Sequence, residues 1–135
     1  MIGIVVITHG VFGQDLLRTA QDIIGAQEDV LGIALTSAMS LEALRTLIAE
    51  HQQRHGGADG ILYLVDMLGG TPCNAALLQT KDHPAEIVSG VNLYMMLSAF
   101  KNRAALDLKS LAVRVAEDGR KSITLPKDLL AKRAG

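Results

Sequence analysis

Short apolar runs alternate with longer stretches of helical spacing over the first hundred or so residues, and this alternation constrains the fold more than any other feature. The first run, Ile4-Val5-Val6-Ile7-Thr8-His9-Gly10, is too short for a core helix, rich in β-branched residues and closed by glycine. Such a run reads as a strand buried on both faces. Residues 13–24 follow with Leu16, Leu17, Ala20, Ile23 and Ile24 at helical spacing and Gly25 as a stop. Residues 30–35 give a second strand. Ser40 is placed to cap a helix at 41–54, with Glu42 in its first turn and Gly56-Gly57 ending it. Residues 60–65 give a third strand that runs into Asp66. Thr71 as cap and Pro72 at the first helical position then open a helix to about residue 79.

The second half is less regular. Residues 86–89 read as a weaker fourth strand, followed by Gly90-Val91-Asn92 and helices at 93–104 and 108–117, the latter closed by Asp118-Gly119. Residues 121–125 alternate and suggest a final edge strand; residues 126–135 read as a short basic tail. Strands alternating with helices predict an α/β three-layer sandwich, a mostly parallel sheet covered on both faces. The organisation expected is one domain over residues 1–125 followed by the tail. The pattern leaves the strand order open.

Composition narrows the function classes. The 135 residues carry a net charge of −1, which gives no general reason to expect nucleic acid or an anionic membrane as partner. A single cysteine excludes an internal disulfide and fits a reducing compartment. The first residues enter a strand without a basic leader, and no apolar run reaches spanning length, so a cytoplasmic protein is expected, touching membrane only indirectly.

Two strands end in an ionisable group followed closely by glycine: Thr8-His9-Gly10, and Asp66 before Met67-Leu68-Gly69-Gly70. Ligands of open α/β sheets bind outside the carboxyl ends of the strands. If the two strands are neighbours, His9 and Asp66 meet there. A carboxylate on one ring nitrogen would fix the tautomer and leave the other as a nucleophile or base. The alternative is that Asp66 caps a turn and His9 packs in a cleft. Gly69, Gly70 and Thr71 add a loop that lets backbone approach a ligand, at a helix N-terminus suited to a phosphoryl group. An ordinary capped helix start is the competing reading.

Other motifs fail. The Gly69-Gly70 loop lacks the lysine of a P-loop, and Gly10 and Gly13 do not complete a dinucleotide fingerprint. Cys73 has no arginine six residues on, which argues against a cysteine phosphatase. His51 and His55 share a helix face at metal-binding spacing, but without an evident third ligand they are expected to be ordinary residues near a helix C-terminus. His83, beside Pro84, is expected in a solvated loop, and Met95-Met96 in the core. Neither a metal nor a cofactor is implied.

Three segments together, residues 3–10, 64–74 and 89–93, resemble the mannose-family enzyme IIA component of the bacterial phosphoenolpyruvate-dependent sugar phosphotransferase system, over nearly the whole chain to about residue 125. The resemblance implies that His9 accepts a phosphoryl group from the phosphocarrier HPr and passes it to a histidine of a IIB component. It implies that Asp66 hydrogen-bonds that histidine and that Gly70 and Thr71 hold phosphoryl oxygens. It further implies a mostly parallel sheet with a final antiparallel strand exchanged across a homodimer, here residues 121–125. The chain departs from the family pattern in having Tyr94 where proline usually follows the Val-Asn-aliphatic motif, and Thr71 where some relatives have serine. No IIB segment lies within these residues, so the sugar is not specified. Two other readings stay open: a regulatory protein phosphorylated on His9, and an α/β ligand-binding domain without phosphoryl transfer.

Overall fold

The computed structural model describes residues 1–55, 59–81 and 83–134. Ten elements follow in order: β1 (Gly3–His9), α1 (Phe12–Ile24), β2 (Val30–Leu35), α2 (Leu41–His55), β3 (Ile61–Val65), α3 (Thr71–Gln79), β4 (Ala85–Ser89), α4 (Leu93–Asn102), α5 (Leu108–Lys121) and α6 (Pro126–Ala134). The strands form one parallel sheet in the order β2-β1-β3-β4. This is the α/β sandwich expected from the alternation.

Strand parity distributes the core. Ile4 and Val6 of β1, with Leu62 and Leu64 of β3, face α1, α4 and α5, where Leu17, Met95, Met96, Phe100, Leu111 and Val115 pack. Val5 and Ile7, with Tyr63 and Val65, face α2 and α3, where Leu44, Ile48 and Ala76 pack. Both faces of β1 and β3 are thus buried, which is why these strands read as unbroken apolar runs rather than alternating ones. Each aliphatic side chain so buried contributes roughly 1.5–3 kcal/mol.

The order β2-β1-β3-β4 has one consequence for function. After β1 the chain crosses outward to β2, and after β2 it returns past β1 to β3 and continues away. The connections leaving β1 and β3 therefore part in opposite directions, opening a crevice at the carboxyl ends of these two strands. Ligands of open α/β sheets bind at such a switch point.

Several local expectations need correction. Thr71 is not the cap of α3: it is the first helical residue, Gly70 holds the cap position with extended backbone, and the Asn74 N–H bonds the Gly70 carbonyl at 3.0 Å. The helix simply starts one residue earlier. Gly119 does not end α5 but lies inside it, because a Cβ there would stand 2.7 Å from Met95 Cγ; it is a packing glycine, not a stop. Residues 121–125 form no strand in the single chain. Lys121 is the last residue of α5, and Ile123 and Leu125 are exposed. A strand requires a ladder, and among the described residues this segment pairs with no strand. Residues of the expected basic tail wind into α6, with Pro126 at its start, where the absent N–H costs nothing. The Gly56-Gly57 stop lies outside the described residues.

Asn92 accepts from the Met95 N–H at 2.9 Å and caps α4, so the helix begins at Leu93 with Tyr94 in its first turn, exposed. Ser40 likewise accepts from Ala43 at 3.0 Å before α2. Met95 and Met96 are core residues as expected. Among the described residues, no helix is long and apolar enough to cross a membrane.

Candidate active site

β1 and β3 are adjacent, so the condition that pairs His9 with Asp66 holds. Their last registered pair is Ile7 with Val65. His9 lies two residues beyond on one strand, and Asp66 one residue beyond on the other. Asp66 accepts the His9 backbone N–H at 3.0 Å and the His9 Nδ1–H at 2.7 Å, both on Oδ2. Its other oxygen accepts the Met67 N–H at 3.0 Å.

This geometry sets the tautomer. An ionised carboxylate can only accept, so the proton of the short contact sits on Nδ1. Nε2 then carries the lone pair of the neutral ring. The His9 side chain is 52% exposed while that of Asp66 is 11% exposed, so the imidazole reaches outward from a sheltered carboxylate. Burial pushes the Asp66 pKa up, but the bonds from the His9 N–H and ring, attraction to His9 and the Met67 N–H together outweigh it. The carboxyl is held below its ordinary value.

The backbone of Asp66 is fixed from the other side as well. Its carbonyl accepts the Gly90 N–H at 3.2 Å, and the Val65 carbonyl accepts that of Val91 at 3.0 Å. Gly90 stands at φ +82, a left-handed turn that glycine takes without strain. Residues 89–91 thus brace the end of β3, which explains their presence beside the first two motifs.

Of the expected loop, Gly70 comes closest to the ring. A Cβ on Gly70 would stand 3.1 Å from His9 Cε1, the carbon between the two ring nitrogens, and 3.2 Å from Met67 Cγ. Gly69 has φ +80 and open space around it, so its role is the turn. Thr71 opens α3 next to Gly70 and is exposed. With Pro72 lacking an N–H and the Asn74 N–H bonded within the helix, the amides of Thr71 and Cys73 are the first-turn donors without an intrahelical carbonyl partner.

The remaining candidates go elsewhere. Cys73 is buried in the core. His51 is buried, with Nε2 at 2.9 Å from Asp29 Oδ1, at the end of the sheet far from His9; its role is this pair rather than a helix-end charge. His83 is not solvated: it is buried, with Nε2 at 2.7 Å from the Tyr63 hydroxyl. The polar sequence around it hides a tertiary partner on β3. Among the described residues, no group of three His, Cys, Asp or Glu side chains is placed to hold a metal ion.

Sequence reasoning passed over Thr8. It is fully buried, accepts the Gly13 N–H at 3.0 Å and donates to the Gly10 carbonyl at 3.2 Å. The available signal was a hydroxyl at the end of an apolar strand with glycines two and five residues on.

Several known proteins are similar to this chain in sequence and fold. The chain is 34% identical over 131 residues to the mannose-specific EIIAB component of Escherichia coli (strain K12), an alignment covering 90% of this chain but 39% of that protein. The chain therefore spans about two fifths of such relatives. It is 28% identical over 112 residues to the fructose-specific EIIA component of Bacillus subtilis (strain 168), covering 82% and 77% of the two chains. The crystal structure of the phosphotransferase system component EIIA from Streptococcus agalactiae superposes with a TM-score of 0.83 at 30% identity, covering 95% of this chain and 99% of that one. The sequence profile of the EIIA-man family, described as PTS system fructose IIA component, matches residues 3–116, and the chain belongs to that family.

Proposed function

We propose that this protein is a cytoplasmic phosphocarrier of a sugar phosphotransferase system. His9 accepts a phosphoryl group from phospho-HPr and hands it to a histidine of a IIB component. The observation that carries this reading is the His9 Nδ1–H held by Asp66 at 2.7 Å on a half-exposed ring.

The chemistry follows from that contact. The Nε2 lone pair attacks the phosphorus of the donor phosphohistidine in line. The N–P bond of the donor breaks, and its electron pair returns to the donor ring. His9 gains positive character as the new N–P bond forms, and the Asp66 carboxylate, already on the Nδ1–H, stabilises it without taking the proton. Transfer onward to IIB is the same displacement in reverse roles. Because one N–P bond replaces another, the driving force is small, and the protein supplies mainly position and charge. Asp66 is thus the orienting group. The Gly70 backbone passing the ring and the amide and hydroxyl of Thr71 are the groups proposed to receive phosphoryl oxygens at the N-terminus of α3, with Gly69 making the turn that brings them there.

The same reading extends to assembly. β4 is an edge strand with β3 on one side only. Beside it a cleft of about 540 Å³, lined by Val88, Met95, Val113, Ala116 and Ile123 among others, separates the strand from α5. Residues 121–125 of a second protomer, pairing along β4, would supply the ladder this segment lacks in the single chain and cover Ile123 and Leu125, 82% and 71% exposed. We propose a homodimer built this way.

The function is tested by phosphoryl transfer from labelled phosphoenolpyruvate through enzyme I and HPr. Acid-labile label on the wild type and none on His9→Ala is expected. Label on a folded His9→Ala protein refutes the assignment, and no label on either returns the site to an α/β ligand cleft.

A further inference from the structure

Thr8 and His9 are consecutive on β1, so their side chains leave opposite faces of the sheet. His9 lies on the α3 side, against Gly70. Thr8 lies on the α1 side, in contact with the place a Gly13 side chain would fill. Although its side chain points away from the crevice, Thr8 is hydrogen-bonded to the turn that carries the imidazole.

The Thr8 hydroxyl is fully buried and has two partners. It accepts the N–H of Gly13 at 3.0 Å and donates to the carbonyl of Gly10 at 3.2 Å. The first contact replaces a missing cap. Val11 holds the cap position of α1 and has no side-chain hydrogen bond to give, so the helix draws its capping oxygen from the preceding strand. The second contact spans His9, tying residue 8 to residue 10. Gly10 sits at φ +64, and its N–H bonds the Leu35 carbonyl on β2 at 3.0 Å. Gly13 must be glycine for this to close, since a Cβ would stand 2.7 Å from both Thr8 Cγ2 and Thr8 Oγ1.

The backbone on both sides of His9 is therefore fixed by side-chain oxygens. Asp66 holds the His9 N–H, and Thr8 holds the Gly10 carbonyl. Only the side-chain torsions of His9 remain, and the Nδ1–H bond to Asp66 sets those.

We propose that Thr8 is a positioning residue for phosphoryl transfer: its hydroxyl, bridging the Gly13 N–H and the Gly10 carbonyl, holds the β1–α1 turn so that His9 presents Nε2 in line while keeping Nδ1 on Asp66. This rests on the reading of His9 as phosphoryl acceptor. Thr8 touches no reacting atom and acts only through His9.

The test compares wild type, Thr8→Val and Thr8→Ser in single-turnover acceptance from phospho-HPr, with the His9 Nδ1–H followed by nitrogen-edited NMR. Valine keeps the shape and removes the hydroxyl; serine keeps the hydroxyl and removes the methyl. For Thr8→Val the maximal rate is expected to fall about tenfold or more, with half-saturation little changed, because donor docking is intact while alignment is lost. The Nδ1–H resonance should broaden or move. Thr8→Ser is expected to stay within about threefold of wild type. Should Thr8→Val fail to fold, Gly13→Ala serves instead, since its Cβ displaces the hydroxyl while residue 8 is retained; the same rate loss is expected. A folded Thr8→Val protein with wild-type rate and an unmoved Nδ1–H, or a Thr8→Ser protein as impaired as Thr8→Val, overturns the proposal. Wild-type protein that takes no label overturns the underlying phosphoryl reading and the proposal with it, whereas wild-type labelling beside an unimpaired Thr8→Val overturns the positioning role alone.

Discussion

Replacing Asp66 by asparagine keeps the shape of the side chain and removes what the site uses. In the native protein one oxygen accepts two bonds from His9 and the other accepts the Met67 N–H. Asparagine has a single acceptor oxygen. With that oxygen toward His9, its NH2 group confronts the Met67 N–H; turned over, the NH2 confronts both His9 donors. The favoured orientation therefore loses one bond outright and turns the ring contact from charge-assisted to neutral. A bond to a charged group is worth about 1.5–3 kcal/mol against about 1 kcal/mol for a neutral one. The carboxylate is only 11% exposed, so solvent screens little of this. A loss of about 1–2 kcal/mol in the step that makes His9 cationic lowers the transfer rate about 5- to 30-fold. Stability should fall by about 2–3 kcal/mol, counting the Met67 bond. The pH dependence has a defined sign. The folded carboxyl holds its pKa below the unfolded value, so its contribution is complete above that unfolded value and is lost as pH falls through the folded one. Asp66→Asn should lack this acid-labile component. Stopped-flow transfer from phospho-HPr and denaturant titrations between about pH 2.5 and 7 read both effects. An unchanged rate together with an unchanged acid profile would show that the Asp66 carboxylate neither supports His9 nor carries the acid-labile stability.

The loop glycines should separate by mechanism. Gly70→Ala places a Cβ 3.1 Å from His9 Cε1, so the ring must move by a few tenths of an ångström, and transfer is expected to slow several-fold with little change in stability. Gly69→Ala meets open space but forces φ +80 on alanine, so it should cost about 1 kcal/mol of stability and leave transfer nearly intact; reversal of the two patterns in the same assays would contradict the geometry. Ile123→Asp should turn a dimer into monomers in sedimentation experiments, because a charge would enter the ladder proposed along β4; a dimer of unchanged affinity would exclude residues 121–125 from the interface.

The sheet was legible because β1 and β3 are buried on both faces, and a short, unbroken β-branched run suits a buried strand far better than a helix. The pairing of His9 with Asp66 was legible only conditionally. Each residue announces a strand end, but the adjacency of β1 and β3 comes from the way the chain crosses back after β2, which no local pattern records. Residues whose meaning lies in a distant partner were misread. Gly119 looks like a helix stop until Met95 is placed against it. His83 looks solvated until Tyr63 is placed over it. Thr8 is hard to single out in sequence because its partners, the Gly13 N–H and the Gly10 carbonyl, are backbone groups. Residues 121–125 carry a strand pattern that the single chain does not satisfy, since Lys121 goes into α5 and the rest of the segment pairs with no strand among the described residues.

If Asp66 chooses the reactive nitrogen by holding the other, the choice is written in which ring atom carries phosphorus. The most direct measurement is the identity of the phosphorylated atom, read by nitrogen–phosphorus NMR on isotopically labelled protein charged through enzyme I and HPr. Phosphorus bonded to Nε2 of His9, with the proton retained on Nδ1, is the expected result. Phosphorus on Nδ1, or on any residue other than His9, would contradict it.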